Sequence, residues 1–229
     1  MVIDVVIPAY NEEASIGLVV SEIPRQWVRD IIVCDNNSKD RTAQVGGAAG
    51  ARVVHEKVAG YGAACLRGLQ FIADRPAAEH PDIVVFIDGD RSDYPEELPE
   101  LVAPIIEGGY DLVIGSRALG ETEAGSMTVP QLFGNWLATN LIHLFYGYEF
   151  TDLGPFRAIR YPALRALGMR DRDFGWTVEM QVRAAKAGLR CTEVPVRYRR
   201  RIGTSKISGT VRGTLLAGHK ILWTIFKLI

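Results

Sequence analysis

The chain has 229 residues, 48% of them hydrophobic and 23% charged, with 26 lysines and arginines balanced by 27 aspartates and glutamates. That is enough for one large core, and an ordinary length for a single α/β domain. No apolar run reaches the roughly 20 residues a membrane span requires, and the first residues enter a strand without a basic segment or a small-residue cleavage site, so neither a span nor a signal peptide is expected.

Two features of composition carry further. Cys34, Cys65 and Cys191 are odd in number, widely spaced and set in apolar context, the pattern of reduced, buried thiols in a cytoplasmic chain. The near-zero net charge also hides an asymmetry: residues 195–229 hold eight lysines and arginines and no acid, so the rest is acidic. A basic tail on an acidic body favours an anionic partner, whether phosphate groups, a phospholipid surface or nucleic acid, although a solvated face would read the same way.

In chain order, strand-like runs at 3–7, 31–34, 52–55, 83–87 and 112–114 alternate with helical stretches, joined by connections of α/β length. This repetition predicts a Rossmann-like α/β fold with a mainly parallel central sheet. The β-branched run at 83–87 is the clearest strand and reads as buried on both faces. A polar cluster follows four of the strands: Pro8-Ala9-Tyr10-Asn11-Glu12-Glu13, Asp35-Asn36-Asn37-Ser38, Asp88-Gly89-Asp90 and Gly115-Ser116-Arg117. Neighbouring parallel strands bring such clusters to one rim, where α/β sheets bind ligands. Two carboxylates there, without nearby Cys or His, suit Mg²⁺ or Mn²⁺ bridging a substrate's phosphates, and Gly89 lets the backbone approach closely. An Asp-rich turn leading into a helix at Pro95 accounts for the same letters.

Beyond the sheet, Leu132, Phe133, Trp136, Leu137, Leu141 and Phe145 recur at helical spacing, which fits core packing or an apolar wall for a lipid chain. Gly175-Trp176-Thr177-Val178-Glu179 opens another helix. In residues 211–229, Val211, Leu215, Leu222, Ile225, Phe226 and Ile229 share one face, with Lys220, Thr224 and Lys227 opposite and Trp223 near the boundary. An interfacial amphipathic helix fits this pattern, as do a helix packed on its own domain and a homodimer contact.

Taken together, Val6-Ile7-Pro8-Ala9-Tyr10-Asn11-Glu12-Glu13, the run from Val33 to Thr42, Asp88-Gly89-Asp90, Gly115-Ser116-Arg117 and Arg201-Ile202-Gly203-Thr204-Ser205-Lys206 resemble the inverting family 2 glycosyltransferases of GT-A fold, in particular their dolichyl-phosphate-mannose-synthase-like branch. The resemblance implies a GT-A domain over residues 1–206, its nucleotide-sugar half at 1–117 and acceptor half at 118–206, followed by an amphipathic helix at 207–229. Pro8, Tyr10, Asn11 and Glu12 would line the nucleotide pocket, Asp35 would hydrogen-bond the nucleobase, and Asp88 and Asp90 would hold the metal and diphosphate. Ser92 stands where some relatives have a metal-binding Gln. Asp152 and Arg157 resemble an Asp and a Gly-Phe-Arg element of that branch, here at shorter spacing in Gly154-Pro155-Phe156-Arg157.

A departing diphosphate needs cations, and Arg117, Lys206 and Arg201, with Ser205 in the same loop, are the candidates. Glu179 is the carboxylate available as a base or as a positioning group. The implied reaction is hexose transfer from a nucleotide-sugar of UDP-glucose or GDP-mannose type to a polyprenyl phosphate, at the cytoplasmic face of an anionic membrane and with no nucleic acid partner. A soluble hydroxyl or glycan acceptor is the alternative. A sugar-1-phosphate nucleotidyltransferase would want a Gly-rich loop after the first strand, which is absent, and a non-catalytic binding module has no need of a metal-diphosphate clamp.

Overall fold

The structure is a computed structural model that describes residues 1–203 and 211–229. Its centre is a seven-stranded sheet: β1 (Ile3–Ala9), β2 (Asp30–Asp35), β3 (Arg52–His55), β4 (Ile83–Phe86), β5 (Leu112–Ser116), β6 (Arg157–Arg160) and β7 (Cys191–Pro195), in the order β3-β2-β1-β4-β6-β5-β7. β6 alone runs antiparallel, between β4 and β5, and the other pairings are parallel. The five strands expected from sequence are present. β6 and β7 are additional, and only two residues of Arg157-Ala158-Ile159-Arg160 are apolar, so nothing in that segment marks a strand in isolation.

The helices are α1 (Ile16–Glu22), α2 (Thr42–Ala48), α3 (Tyr61–Ala73), α4 (Leu98–Gly108), α5 (Val129–Tyr146), α6 (Tyr161–Leu167), α7 (Trp176–Lys186) and α8 (Val211–Lys227). Two apolar layers sandwich the sheet. One face carries Val5, Ile7, Ile31, Val33 and Val85 against α1 and α4, while the other carries Val6, Ile32, Val84 and Phe86 against α3, α5 and α7. This alternation along each strand is the period-2 consequence of the pleat. At some 25 cal/mol per Å² of apolar surface, each such fully buried aliphatic side chain contributes about 1.5–3 kcal/mol. The cysteines are free and buried.

At the amino end of the sheet, fully buried Asp4 receives Arg29 and Arg75, and Arg75 also reaches Asp30 at 2.7 Å. Such pairing offsets the cost that a buried carboxylate would otherwise impose. The opposite, carboxyl end of β1, β2 and β4 is left for the loops.

α8 departs from its expected face. Ile225 enters the core and Thr224 is buried, with its hydroxyl donating to the Lys220 carbonyl, whereas Phe226 and Trp223 are exposed. Of the apolar residues expected on one face, Ile225 is therefore in the core while Phe226 and Ile229 face solvent. α8 packs on α7 and on α5, the latter through an edge-to-face Phe145–Phe226 contact and a bond from Tyr146 Oη to the Ile225 carbonyl.

Candidate active site

Each polar cluster forms where an apolar strand ends and the backbone must turn. Three non-glycine residues adopt left-handed backbone at this rim, Asn11 (φ 54°), Asn37 (φ 62°) and Arg91 (φ 64°). Such conformations cost about 1–3 kcal/mol each and persist where surrounding contacts enforce them. Here the loops after β1 and β2 are laced together: Asn11 N–H donates to Ser38 Oγ, Asn11 Oδ1 accepts from Lys39 N–H, and Glu12 N–H donates to Thr42 Oγ1 at 2.8 Å.

The result is a cleft of about 510 Å³ whose wall includes Pro8, Tyr10 and Glu12 from the first motif, Asn36, Asn37 and Lys39 from the second, Tyr61, Asp88, Asp90, Asp173, Phe174 and Arg201. Its size is that of a small-molecule site. Asp88 Oδ1 accepts from Tyr61 Oη at 2.9 Å, and Asp90 Oδ1 accepts from Ser92 N–H and Oγ at 2.8 and 2.6 Å. Ser92, at the position of interest for a third metal ligand, instead orients Asp90. Burial and the Asp90 charge push the Asp88 carboxyl up to about 7. Two carboxylates so close repel each other, and a divalent ion relieves that repulsion. Among the described residues no group of three His, Cys, Asp or Glu side chains is placed to hold an ion.

The basic segment after β7 lies along this loop. Ile202 N–H donates to the Asp90 carbonyl and Arg199 N–H to that of Ser92, while Arg201 spans the cleft from Glu12 (2.6 Å) to Asp90 (3.1 Å). Arg199 pairs with Glu22, Arg200 with Glu123, and Arg197 with Glu96 and Glu97. With Lys220, which pairs with Asp171, at least five of the eight basic residues behind the charge asymmetry thus latch onto the acidic body rather than facing solvent as a bare patch.

The other expected residues divide. Asp35 is buried at the end of β2, with Oδ2 3.1 Å from His55 Nδ1; it stands beside the cleft wall, not on it. Arg117 forms a two-pronged pair with buried Asp152 (2.7 Å on both arms) and lies over the Tyr198 ring. Burial works against the Arg117 charge, but the Asp152 carboxylate holds its pKa above the usual value.

Arg157, expected to bind substrate, lies in the interior. It is wholly enclosed, donating to the carbonyls of Leu153, Gly154 and Thr177, and burial lowers its pKa to about 10. Glu179 is likewise buried rather than facing the cleft, accepting from the N–H groups of Arg170 and Asp171 and from Arg183 Nε at 2.8 Å. It organises the turn before α7. Ser205 and Lys206 lie outside the described residues.

Sequence reasoning missed Asp93, Asp173 and the bond from Tyr61. The one local signal was Gly60-Tyr61-Gly62: a Cβ on Gly60 or Gly62 would stand 2.0 Å or 2.1 Å from the carbonyl oxygens of Arg172 and Asp171, so only glycine lets that loop close on α3.

A Rossmann-like sheet with a small-molecule cleft and a carboxylate pair at the end of β4 fits a hexosyltransferase of GT-A fold. The model of glycosyl transferase family 2 matches residues 4–168, and the chain belongs to that family. A glycosyltransferase of Mycobacterium tuberculosis is 38% identical over 223 residues, covering 94% of each chain. A dolichyl-phosphate hexose transferase of Haloferax volcanii is 32% identical, over 93% of this chain and 89% of its own. Among solved structures, glucosyl-3-phosphoglycerate synthase of M. tuberculosis, bound to Mn²⁺, UDP-glucose and phosphoglyceric acid, superposes with a TM-score of 0.77 at 25% identity, covering 99% of this chain and 79% of that one.

Proposed function

We propose that the protein moves a hexose from a nucleotide-sugar to a polyprenyl phosphate at a membrane surface, with inversion at the anomeric carbon. The observation that carries the acceptor is the outer face of α5. Val129, Leu132, Phe133 and Trp136 recur at helical spacing, yet they point to solvent, with Val129 78% and Trp136 58% exposed. No lysine, arginine, aspartate or glutamate occurs between Glu123 and Glu149. At the other end of α5, exposed Phe226 of α8 meets Phe145 edge-to-face. A surface of that kind marks an interaction site, and no described helix is long and apolar enough to cross a bilayer, so these helices lie in the interface. The lipid-chain reading of the α5 stripe is therefore favoured over core packing. The Haloferax relative, named for dolichyl phosphate, supports the same acceptor class.

α5 is tied to the site. Asn135 bonds the Thr151 carbonyl and the Leu153 N–H, flanking Asp152, which fixes Arg117. In the cleft, Asp88 and Asp90 would hold Mg²⁺ or Mn²⁺, which supplies positive charge to the departing diphosphate. Tyr61 and Ser92 keep the two carboxylates oriented. Arg201, already in the cleft, offers its guanidinium to phosphate oxygens once Asp90 is engaged elsewhere. An acceptor phosphate oxygen forms the new bond to the anomeric carbon as the bond to the diphosphate breaks. Being already anionic, it needs no base, which agrees with the commitment of Glu179 to backbone N–H groups and Arg183. Asp35 is assigned to the nucleobase, Lys206 and Ser205 to phosphate.

Acceptor competition tests this reading. Purified protein is given labelled UDP-glucose and GDP-mannose with polyprenyl phosphate in anionic vesicles, alongside soluble hydroxyl acceptors. Label moving into the lipid fraction is expected. Transfer to a soluble acceptor with none to lipid overturns the polyprenyl assignment and leaves the exposed face to a homodimer contact.

A further inference from the structure

We infer that Asp173, on the loop between α6 and α7, reads a hydroxyl group of the donor's sugar ring and helps set which hexose is transferred; this rests on the nucleotide-sugar reading above. The loop is built to be rigid. Asp171 Oδ1 accepts the N–H groups of Asp173 (2.8 Å) and Gly175 (3.1 Å), its Oδ2 pairs with Lys220 at 2.9 Å, and Glu179 accepts the N–H groups of Arg170 and Asp171. Ala63 N–H donates to the Arg172 carbonyl at 2.9 Å, fastening the loop to the first turn of α3 where Tyr61 meets Asp88. Behind it, fully buried Trp176 packs edge-to-face on Phe86, two residues before Asp88.

Three carboxylates belong to this loop and its helix, and two are spent on structure. Asp173 is the third. It lines the cleft and, among the described residues, has no side-chain hydrogen-bond partner; it accepts the Phe174 N–H beside it and feels the Lys220 charge. It also belongs to no cluster able to hold an ion with Asp88 and Asp90, so a role as metal ligand is not built in. With the diphosphate held at those two carboxylates, the sugar attached to it lies within the same cleft, and Asp173 offers it an acceptor. A fixed carboxylate accepts a hydroxyl hydrogen bond with a defined direction. A site built around such a bond discriminates strongly against analogues lacking it. Phe174 adds an apolar surface for the ring's C–H groups.

Calorimetry with Mn²⁺ separates this role from a structural one. UDP, GDP, UDP-glucose, GDP-mannose and their monodeoxy-sugar analogues are titrated into wild type, Asp173→Asn and Asp173→Ala. The variants should bind the preferred nucleotide-sugar at least tenfold more weakly, with affinity for the free nucleotide within about twofold of wild type. One deoxy position should weaken binding to wild type yet cost nothing further in Asp173→Ala. Parallel losses for nucleotide and nucleotide-sugar, or no loss in either, overturn the assignment. A wild-type protein that binds none of these donors refutes the nucleotide-sugar reading itself, together with this inference.

Discussion

Asp93 is enclosed on every side, and neither of its carboxylate oxygens has a hydrogen-bond partner among the described residues. Burial, with the charges of Asp88, Asp90 and Asp152, pushes its pKa well above the usual carboxylate range, and Arg117 offsets this only in part. An acid whose folded pKa is raised binds more protons in the folded than in the unfolded state, so stability falls as pH rises from the unfolded value near 4 through the folded one. Asp93→Asn keeps the shape and removes the titration. It is expected to stabilise the fold at pH 8 by about 1–3 kcal/mol and to flatten the stability profile between pH 5 and 8, read by denaturant unfolding. An unchanged profile would mean that Asp93 acquires a partner not present here. At this scale the sequence was only partly readable. Asp88 and Asp90 stood out because they interrupt an apolar strand. Arg117 and Asp152 were each noticed, but not as a pair, because the contact that commits them joins positions 35 residues apart. Arg157 and Glu179 carry the letters of a site and the contacts of a scaffold, a distinction that depends on which way a loop closes.

Among the elements, α5 separates two readings that share one periodicity. Its apolar stripe satisfies the pattern of a core helix, yet buried positions such as Ala138 and Ile142 lie on another face, leaving Phe133 and Trp136 outside. Placing Asp at either exposed position should leave donor binding intact, because neither side chain reaches the cleft. Losing one inserted aromatic removes about 1.5–3 kcal/mol, or roughly 10- to 100-fold in partitioning. Sedimentation with anionic vesicles is the measurement, and undiminished binding by Phe133→Asp and Trp136→Asp together would contradict an interfacial α5. The basic segment after β7 teaches a related lesson. Its charges were legible, but their partners Glu12, Glu22, Glu96, Glu97 and Glu123 are scattered along the chain, so the internal latch emerges only when the sheet assembles. β6 was hidden for a similar reason, since its pairing with both β4 and β5 is what makes it a strand.

For the molecule as a whole, the alternation of strands and helices and the polar clusters after four of the five expected strands were sufficient for the fold class and for the rim where the cleft forms. The antiparallel β6 and the closure of Gly60 and Gly62 onto residues 171–172 needed three dimensions. The central claim is that a carboxylate pair at the end of β4, loaded with a divalent ion, drives hexosyl transfer from a nucleotide-sugar to a lipid phosphate. Its most direct test is the rate of label transfer from UDP-glucose or GDP-mannose to vesicle-borne polyprenyl phosphate, measured with Mn²⁺, with excess EDTA, and with Asp90→Asn in Mn²⁺. The account predicts transfer in the first case, none in EDTA with recovery when Mn²⁺ is restored, and a rate at least a hundredfold lower in the variant, whose fold survives. Full transfer in EDTA, or an Asp90→Asn protein as active as wild type, would contradict it.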